Sequence, residues 1–352
     1  MLIQRLILKC AAKAWKTAPG AEVPTVCVGN LTVGGTGKTP HTEMILRILQ
    51  DSDRWGNSNL AVLSRGYKRR SKGFQQVITG NTAAFGGDEP VQIKRKFPAV
   101  TVAVDKNRVE GCDYLVHPEK LQSGDRRIRR IVNREFPAAD IIVLDDAFQY
   151  KKLHASLNIL LVNYRRPVFE DRLLPFGWLR DLPSRMADAD VVIVSKSPHE
   201  LDPGESQEWR EKLRLDENRP LFFTTTDYDV PAAVFPEDAD PRYNYSKTVI
   251  LFSGIADDTP LRAHLSDTYR IVEVLKFPDH HAYGRADIRR IAAAVRRYPT
   301  AALLTTEKDA GRVLDCKNVP QEIRRRLFAV PVRASFVEES DRIAFTTLLD
   351  TL

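Results

Sequence analysis

Cysteine is scarce in this sequence of 352 residues, and long apolar runs are missing. The four cysteines stand far apart, with neither metal-ligand spacing nor the pattern of a disulfide framework, which suits a reducing compartment. No apolar run reaches the roughly 18 residues needed to span a bilayer, and the N-terminus has no signal-peptide layout. Internal repeats and low-complexity segments are missing too. The sequence therefore argues against a zinc protein, a disulfide-stapled protein and a membrane-spanning one.

The composition is that of a folded protein, with 43% hydrophobic and 28% charged residues. A length of 352 residues exceeds what one hydrophobic core usually serves, so we expect two domains. The formal net charge of +7 favours phosphates, nucleic acid or an anionic lipid surface as partners, or it reflects only a solvated basic surface. Because no motif of interleaved aromatic and basic residues accompanies the charge, we expect no nucleic-acid partner.

Residues 1–15 carry a basic amphipathic pattern. Apolar residues recur there at helical spacing, and Arg5, Lys9 and Lys13 lie among them. Such a helix can lie in a membrane interface or pack on the protein's own core, and spacing alone favours the core.

Short apolar segments alternate with helical ones along the chain, which indicates a parallel sheet with helices on both faces. Ligands of such sheets bind outside the carboxyl ends of the strands. A proline-containing stretch at residues 163–183 separates two groups of strand-like segments. The first group comprises residues 23–29, 60–64, 98–104, 141–144 and 157–162, and the second comprises residues 191–195, 221–225, 249–252, 271–274 and 302–305.

A glycine-rich loop lies between the first strand and a helical segment at residues 42–50. It reads Thr32-Val33-Gly34-Gly35-Thr36-Gly37-Lys38-Thr39. Its last three residues fit the phosphate-binding pattern G-x-x-x-x-G-K-[ST], but Thr32 stands where the opening glycine is expected. The glycines let backbone N–H groups turn toward phosphate oxygens, and the helix N-terminus adds its positive end. We therefore predict that this loop binds ATP, with Lys38 at the β- and γ-phosphates and Thr39 on Mg²⁺.

The loop in this context predicts an α/β fold with a P-loop NTPase-like parallel sheet, plus a second, smaller α/β domain. We place the boundary after residue 165, so that residues 1–165 form the nucleotide-binding domain. Residues 166–352 then form the smaller domain that closes the active-site cleft and excludes water.

Acidic residues follow the most apolar strand of the sequence. Asp145 and Asp146 stand at its end, where a carboxylate would face the glycine loop and hold Mg²⁺. The alternative is a strand-end aspartate that caps the next helix. With a phosphate-binding loop already present, the metal interpretation is favoured.

Two further polar motifs are ambiguous from spacing. A histidine beside a carboxylate, as in Asp279-His280-His281, can transfer protons, but a polar surface loop is equally compatible. Asp88 follows Gly87 in a turn-like loop; it could act as a base, although alone the motif is more typical of structure.

The glycine loop and several other blocks together resemble the tetraacyldisaccharide 4′-kinase (lipid A 4′-kinase) family. That family opens its P-loop with a Gly-Asn-Leu-Thr run, as Gly29-Asn30-Leu31-Thr32 does here, which explains the missing glycine. The other blocks, in the family's order, are Leu63-Ser64-Arg65-Gly66-Tyr67, Gly87-Asp88-Glu89-Pro90, Asp145-Asp146-Ala147-Phe148-Gln149-Tyr150, Leu174-Pro175-Phe176-Gly177-Trp178-Leu179-Arg180-Asp181, Phe277-Pro278-Asp279-His280 and Thr306-Glu307-Lys308-Asp309. Several blocks in one order are far more specific than one motif.

The resemblance implies transfer of the γ-phosphate of ATP to the 4′-hydroxyl of a tetraacylated disaccharide 1-phosphate, with Mg²⁺ as cofactor. It implies a lipid acceptor bound by the first domain and peripheral attachment to the cytoplasmic face of a bacterial inner membrane. It gives no indication of an obligate protein partner. The residues it assigns are Lys38 and Thr39 for the nucleotide and Mg²⁺, Asp88 as general base supported by His280, and Asp145 and Asp146 as the acidic metal and active-site pair.

This sequence departs from the family pattern at three places. Ala147 and Tyr150 replace a glycine and a histidine, so any function of that histidine is either absent or performed by the Tyr150 hydroxyl. Asp181 replaces the glutamate that usually ends the proline-containing block. The N-terminus is also shorter than the hydrophobic segment usual in the family, which implies either weaker membrane contact or a start inside the reading frame.

A second function class remains open at this point, because P-loops serve many activities. The chain could be a P-loop NTPase that acts as a switch or assembly factor for a protein partner. A kinase needs its acceptor for turnover, whereas a switch hydrolyses nucleotide without one. The family blocks outside the loop favour the kinase.

Overall fold

The computed structural model describes residues 18–123 and 128–352. The amphipathic pattern of residues 1–15 lies outside this part of the chain. Fourteen strands are defined: β1 (Thr25–Asn30), β2 (Leu60–Ser64), β3 (Gln75–Val77), β4 (Thr101–Val104), β5 (Ile141–Asp145), β6 (Leu157–Asn163), β7 (Val191–Ser195), β8 (Leu221–Tyr228), β9 (Ala232–Ala233), β10 (Thr248–Ser253), β11 (Arg270–Lys276), β12 (Ala302–Thr306), β13 (Leu327–Val330) and β14 (Val332–Phe336).

Ten α-helices connect these strands in the described residues. They are α1 (Lys38–Asp51), α2 (Ala83–Gly86), α3 (Asp88–Lys96), α4 (Arg108–Val116), α5 (Glu205–Leu213), α6 (Thr259–Thr268), α7 (Arg285–Arg297), α8 (Glu307–Leu314), α9 (Gln321–Arg324) and α10 (Glu339–Asp350). Short 3-10 turns cover Pro118–Gln122, Ile128–Arg130, Pro183–Asp188 and Pro241–Tyr245.

The larger sheet has nine strands in the order β14-β8-β7-β6-β1-β5-β2-β4-β3. Its pairings from β8 to β4 are all parallel, and β3 pairs antiparallel at the edge. Strand β1 therefore lies in the middle, between β6 and β5, and the glycine loop that follows it opens at the carboxyl edge. This confirms the predicted parallel sheet.

Both faces of this sheet are covered, as the continuous apolar strands predict. In β1, Cys27 packs into the core that includes Leu115 of α4, whereas Val26 and Val28 pack into the core that includes Ile45 of α1. Alternate residues of the other central strands divide between these two cores in the same way. Helices on both faces are thereby confirmed.

A second, smaller sheet follows the order β11-β10-β12-β13-β9. Strands β11, β10, β12 and β13 are parallel, and β9 is antiparallel to β13. It too has cores on both faces, because Ile250 and Phe252 belong to one and Val249 and Leu251 to the other. The predicted smaller α/β sheet is therefore present.

The described chain separates into two compact units, one reaching Asp227 and including Arg333–Leu352, the other spanning Tyr228–Val332. Sequence alone grouped residues 191–195 and 221–225 with the second sheet. The structure instead pairs β7 with β6 and β8 with β7, in parallel register, so both extend the first sheet. Because β7 and β8 belong to the first sheet, the first unit extends beyond residue 165, where the sequence placed the boundary.

Candidate active site

The glycine loop begins where β1 ends at Asn30 and closes where α1 begins at Lys38. Two of its glycines are in the left-handed region, with φ of 100° at Gly34 and 83° at Gly37, which a side chain would strain. Gly37 is the N-cap of α1, so the helix N-terminus opens onto the loop. The strand, loop and helix order that a phosphate-binding loop requires is thus formed.

The first half of the loop is held by the proline-containing block. The Val33 N–H donates to Trp178 O at 2.8 Å, and Thr32 forms an antiparallel bridge with Leu179. Two cations of the same unit also approach the glycines. A Cβ atom at Gly34 would lie 3.3 Å from Arg166 Nη2, and one at Gly35 would lie 3.9 Å from Lys196 Nζ.

The second half of the loop is held from strands β7 and β8. Ser195 Oγ lies 2.9 Å from Thr36 O, and His41 Nδ1 lies 2.7 Å from Gly37 O. The other ring nitrogen of His41 lies 2.8 Å from the Thr224 hydroxyl. Burial lowers the pKa of His41 to about 4, so its imidazole is neutral at physiological pH.

Asp146 stands directly beside the loop lysine. Its Oδ1 lies 3.8 Å from Lys38 Nζ and 2.5 Å from Arg180 Nη2. Both cations also contact Asn30 Oδ1, at 3.3 Å from Lys38 and 2.5 Å from Arg180. Burial alone would raise the pKa of Asp146, but the charges of Lys38 and Arg180 outweigh it and lower that pKa. Asp146 is therefore held as a carboxylate.

Asp145 has a different environment although it is the neighbouring residue. Its side chain is buried and accepts hydrogen bonds from the hydroxyls of Thr42 and Ser64, at 3.3 and 3.0 Å. Burial first, and then the charges of Asp146 and Glu89, raise its pKa from 3.8 to about 6. The pKa values of these two adjacent carboxyl groups are thus shifted in opposite directions.

These residues suit a magnesium ion. Asp145, Asp146 and Thr39 offer only oxygen atoms, which Mg²⁺ prefers. The Thr42 contact brings the first turns of α1 to the Asp145 side chain. Since each carboxylate raises the cost of charging the other, a divalent cation would stabilise the pair.

Asp88 begins α3 and is half-buried. It follows Gly87, where a side chain would be strained by the φ of 94° and crowded by Gly66, since a Cβ would lie 3.2 Å from Gly66 Cα. The loop after β2 therefore packs directly on the turn that presents Asp88. The neighbouring Glu89 is close enough for its charge to act on Asp145.

His280 lies in the second unit, after β11. Its backbone has φ of 60°, and its N–H donates to Gly254 O at 3.2 Å. Arg312 Nη2 lies 3.4 Å from His280 Nδ1, and Arg312 also donates to Gly254 O at 3.0 Å. The adjacent His281 instead contacts Asp287 at 3.0 Å. The two histidines therefore have separate partners.

Asp309, from the Thr306-Glu307-Lys308-Asp309 block, forms the centre of this arrangement. It is fully buried and accepts from Gly254 N–H, the Tyr283 hydroxyl, the Thr306 hydroxyl and Arg312, at distances from 2.7 to 3.0 Å. Because Arg312 joins Asp309 to both Gly254 and His280, this block holds the turn that carries His280.

Tyr150 and Asp181, two of the residues that depart from the family pattern, both have partners here. The Tyr150 hydroxyl donates to Asn107 Oδ1 at 2.9 Å, and its ring faces the Arg108 guanidinium at 5.7 Å. Asp181 is buried, accepts from Leu182 N–H at 2.9 Å and lies 3.5 Å from Arg185.

Sequence reasoning assigned no function to Arg180, Arg166, Lys196, His41 and Asn30. Arg180 and Asn30 lie inside blocks that carry the family resemblance, so a signal existed for these two. His41 and Thr224 are 183 residues apart in sequence, and no local pattern predicts that they meet.

A parallel sheet with a glycine loop at its carboxyl edge, a loop lysine and an acidic strand end together define the class of P-loop nucleotide-binding proteins. Comparison with known proteins narrows the class. The chain matches the family model LpxK, tetraacyldisaccharide-1-P 4'-kinase, over residues 1–351. This chain belongs to that family.

Individual relatives agree with this assignment. The chain is 38% identical to a tetraacyldisaccharide 4'-kinase of Parabacteroides distasonis, over 91% of this chain and 83% of the relative. It is 35% identical to a tetraacyldisaccharide 4'-kinase of Flavobacterium johnsoniae, over 93% and 87% of the two chains. A solved structure of LpxK from Aquifex aeolicus in complex with ATP superposes with a TM-score of 0.71 and 26% identity, covering 99% of this chain and 96% of that one.

Proposed function

We propose that this chain transfers the γ-phosphate of ATP to the 4′-hydroxyl of tetraacyldisaccharide 1-phosphate in lipid A biosynthesis. The observation that carries the proposal is the contact of Lys38 with Asp146 at the mouth of the glycine loop, in a chain of the 4'-kinase family. Lys38 and the loop amides bind the phosphates and stabilise the charge that develops during transfer. Arg180 holds Asp146, and Asn30 holds both cations. The protein-switch alternative is not favoured by this family membership.

Magnesium belongs to the proposal because the acidic edge fits it. Thr39, Asp145 and Asp146 would hold the ion, which when bound supplies positive charge to the β- and γ-phosphates. Replacing either aspartate by Asn should lower the rate severely, and raised Mg²⁺ should partly restore it. Full activity in both Asn variants would contradict the metal function.

Asp88 is the proposed general base, which accepts the proton of the 4′-hydroxyl. Its position at the start of α3, in a turn built by Gly87, supports this assignment. The proposed partnership with His280 is a question for kinetics, since groups that act together give non-additive losses. The double Ala variant should be little slower than the slower single variant, whereas losses that multiply would argue for independent functions.

The direct test is transfer of label from γ-labelled ATP, with Mg²⁺, to a detergent-solubilised disaccharide 1-phosphate. We expect a labelled lipid product that forms only when the acceptor is present. The Asp88→Asn variant should not form it. Nucleotide hydrolysis that is independent of acceptor, with no labelled lipid, would contradict the kinase assignment.

Attachment to the cytoplasmic face of an inner membrane is also proposed, because the acceptor is a lipid. In residues 18–123 and 128–352, every helix falls short of the length and apolarity that crossing a bilayer requires. The proline-containing block offers a surface for peripheral contact instead. Phe176 and Trp178 are 74% and 53% exposed there, next to the glycine loop that Trp178 contacts through its backbone.

This surface can be tested with Phe176→Ser, because that ring is largely exposed. The variant should bind anionic vesicles more weakly and show a higher KM for lipid acceptor, with the KM for ATP unchanged. Tyr245→Ser is the matched control, since Tyr245 is 83% exposed in the other unit. Equal vesicle binding by wild type and Phe176→Ser would place the contact elsewhere. The basic cluster of Arg65, Lys68, Arg69, Arg70 and Lys72, and residues 1–15, are the other proposed contributors.

A further inference from the structure

Two consecutive carbonyl groups of the glycine loop are bound from behind by side chains. Thr36 O is bound by Ser195 at the end of β7, and Gly37 O is bound by the His41 ring, which Thr224 of β8 holds in turn. His41 and Thr224 are almost entirely buried. Gly37 O also accepts the backbone N–H of His41 in helix α1 at 3.1 Å, so the imidazole adds a side-chain donor to a carbonyl that the helix already binds.

The hydrogen-bond directions fix the form of the imidazole. Gly37 O can only accept, so Nδ1 of His41 carries the proton and donates it. Nε2 is then an acceptor, and the Thr224 hydroxyl donates to it at 2.8 Å. The ring is therefore neutral and has one tautomer, with both nitrogens satisfied.

The position of each carbonyl determines the direction of an amide. A trans peptide unit is planar, and its C=O and N–H groups point to opposite sides. Holding Thr36 O toward Ser195 directs the Gly37 N–H the other way, and holding Gly37 O toward His41 does the same for the Lys38 N–H. Two successive N–H groups are thereby directed away from the side chains that bind the carbonyls, which leaves them available to a phosphate oxygen.

We propose that His41 and Ser195 are positioning residues for the polyphosphate, which act by orienting the Gly37 and Lys38 amides through the carbonyls behind them. The inference rests on the proposed use of ATP. We expect the larger effect from His41, because its Nδ1–H donates to a single carbonyl, Gly37 O. The Ser195 hydroxyl also lies 3.2 Å from Val162 O, so its one proton is shared between two carbonyls.

Three substitutions at His41 separate the two hydrogen bonds. His41→Asn keeps a donor near the place of Nδ1, His41→Gln keeps a polar group near the place of Nε2, and His41→Leu keeps only volume. Affinity for ATP, measured by equilibrium binding to the full chain, should fall about five- to tenfold in His41→Leu, as for one lost hydrogen bond. His41→Asn should recover most of this loss, and His41→Gln should recover little. Turnover should show the loss in the KM for ATP, with the KM for acceptor unchanged.

The control for a merely structural effect is Leu49→Ala, which removes a buried side chain from the other end of the same helix. That variant should lower the melting temperature at least as much as His41→Leu while leaving ATP affinity within twofold of wild type. Ser195→Ala should give a smaller loss of ATP affinity than His41→Leu. If His41→Gln recovers binding as well as His41→Asn, or if Leu49→Ala weakens ATP binding equally, the inference is wrong.

The binding measurement keeps this inference separate from the proposed reaction. If wild type binds ATP but phosphorylates no lipid, the proposed acceptor fails and the His41 series still reports on phosphate positioning. If wild type transfers phosphate and the three His41 variants bind ATP as wild type does, the positioning function fails and the proposed reaction stands.

Discussion

Two buried aspartates, one in each unit, lie near the carboxyl end of a strand and have opposite electrostatic environments. Asp145 is the last residue of β5, and Asp309 lies in the first turn of the helix that follows β12. Asp309 accepts four hydrogen bonds, one of them from the buried cation Arg312, so the protein itself satisfies its charge. Asp145 receives two hydroxyl donors and has the like charge of Asp146 beside it, which raises its pKa to about 6. A carboxylate that the protein leaves uncompensated is typical of a site completed by a ligand, whereas a compensated one holds structure.

The largest expected effect on activity is that of Lys38→Ala, in the region around Asp145 and the glycine loop. This change removes the lysine of the glycine loop, which contacts Asp146, so we expect the rate to fall by about a thousandfold or more. The fold should survive, since Arg180 still pairs with Asp146. Lys212→Ala, at an exposed pair with Glu208, is the control and should behave as wild type. A folded Lys38→Ala enzyme with near-normal turnover would remove the phosphate-binding assignment.

Asp309→Ala should show that the network around Asp309 contributes to the stability of the fold. It leaves Arg312, which is 6% exposed, without its buried partner, and such losses cost about 3–5 kcal/mol. We expect that decrease in the free energy of unfolding by urea. Asp267→Ala, on the exposed side of α6, should change it by less than about 0.5 kcal/mol. A decrease below about 1 kcal/mol in Asp309→Ala would mean that this network is not what holds the turn of His280.

Asp145→Asn should raise the free energy of unfolding, whereas Asp309→Ala lowers it. The folded pKa of about 6 exceeds the ordinary value of 3.8, so a charged Asp145 costs stability that protonation restores. With EDTA present, the Asn variant should therefore be more stable than wild type above about pH 6, by at most about 3 kcal/mol. The difference should shrink as the pH falls from about 6 toward 4 and disappear near pH 3, where the wild-type carboxyl is protonated in both the folded and unfolded states. A difference that does not change between pH 4 and pH 8 would contradict this explanation.

The comparison also shows how far sequence reasoning reaches. The strands at Leu60–Ser64 and Val191–Ser195 were predictable to the residue because each is a short β-rich apolar run, and the glycine loop was predictable from its own spacing. The environments of the two aspartates were not. Asp309 meets Gly254 from 55 residues away, and Arg180 reaches Asn30 from 150 residues away. Such partners are decided by the packing of strands, which local periodicity does not encode.

Substitutions at Tyr150 should have the smallest effect on activity and stability. This residue lies near the acidic pair in sequence, but its hydroxyl has a partner within the protein. It stands in the acidic block, where the family has a histidine, yet its hydroxyl donates to a protein group, Asn107 Oδ1. If that hydroxyl is structural, Tyr150→Phe should lower stability by about 1 kcal/mol and change the rate less than about threefold, because the ring still faces Arg108. Tyr150→His then introduces the family residue, and it should neither raise the rate above wild type nor lower it by more than a few-fold. A loss of a hundredfold or more in Tyr150→Phe, recovered by Tyr150→His, would show instead that the tyrosine hydroxyl performs the function of the missing imidazole.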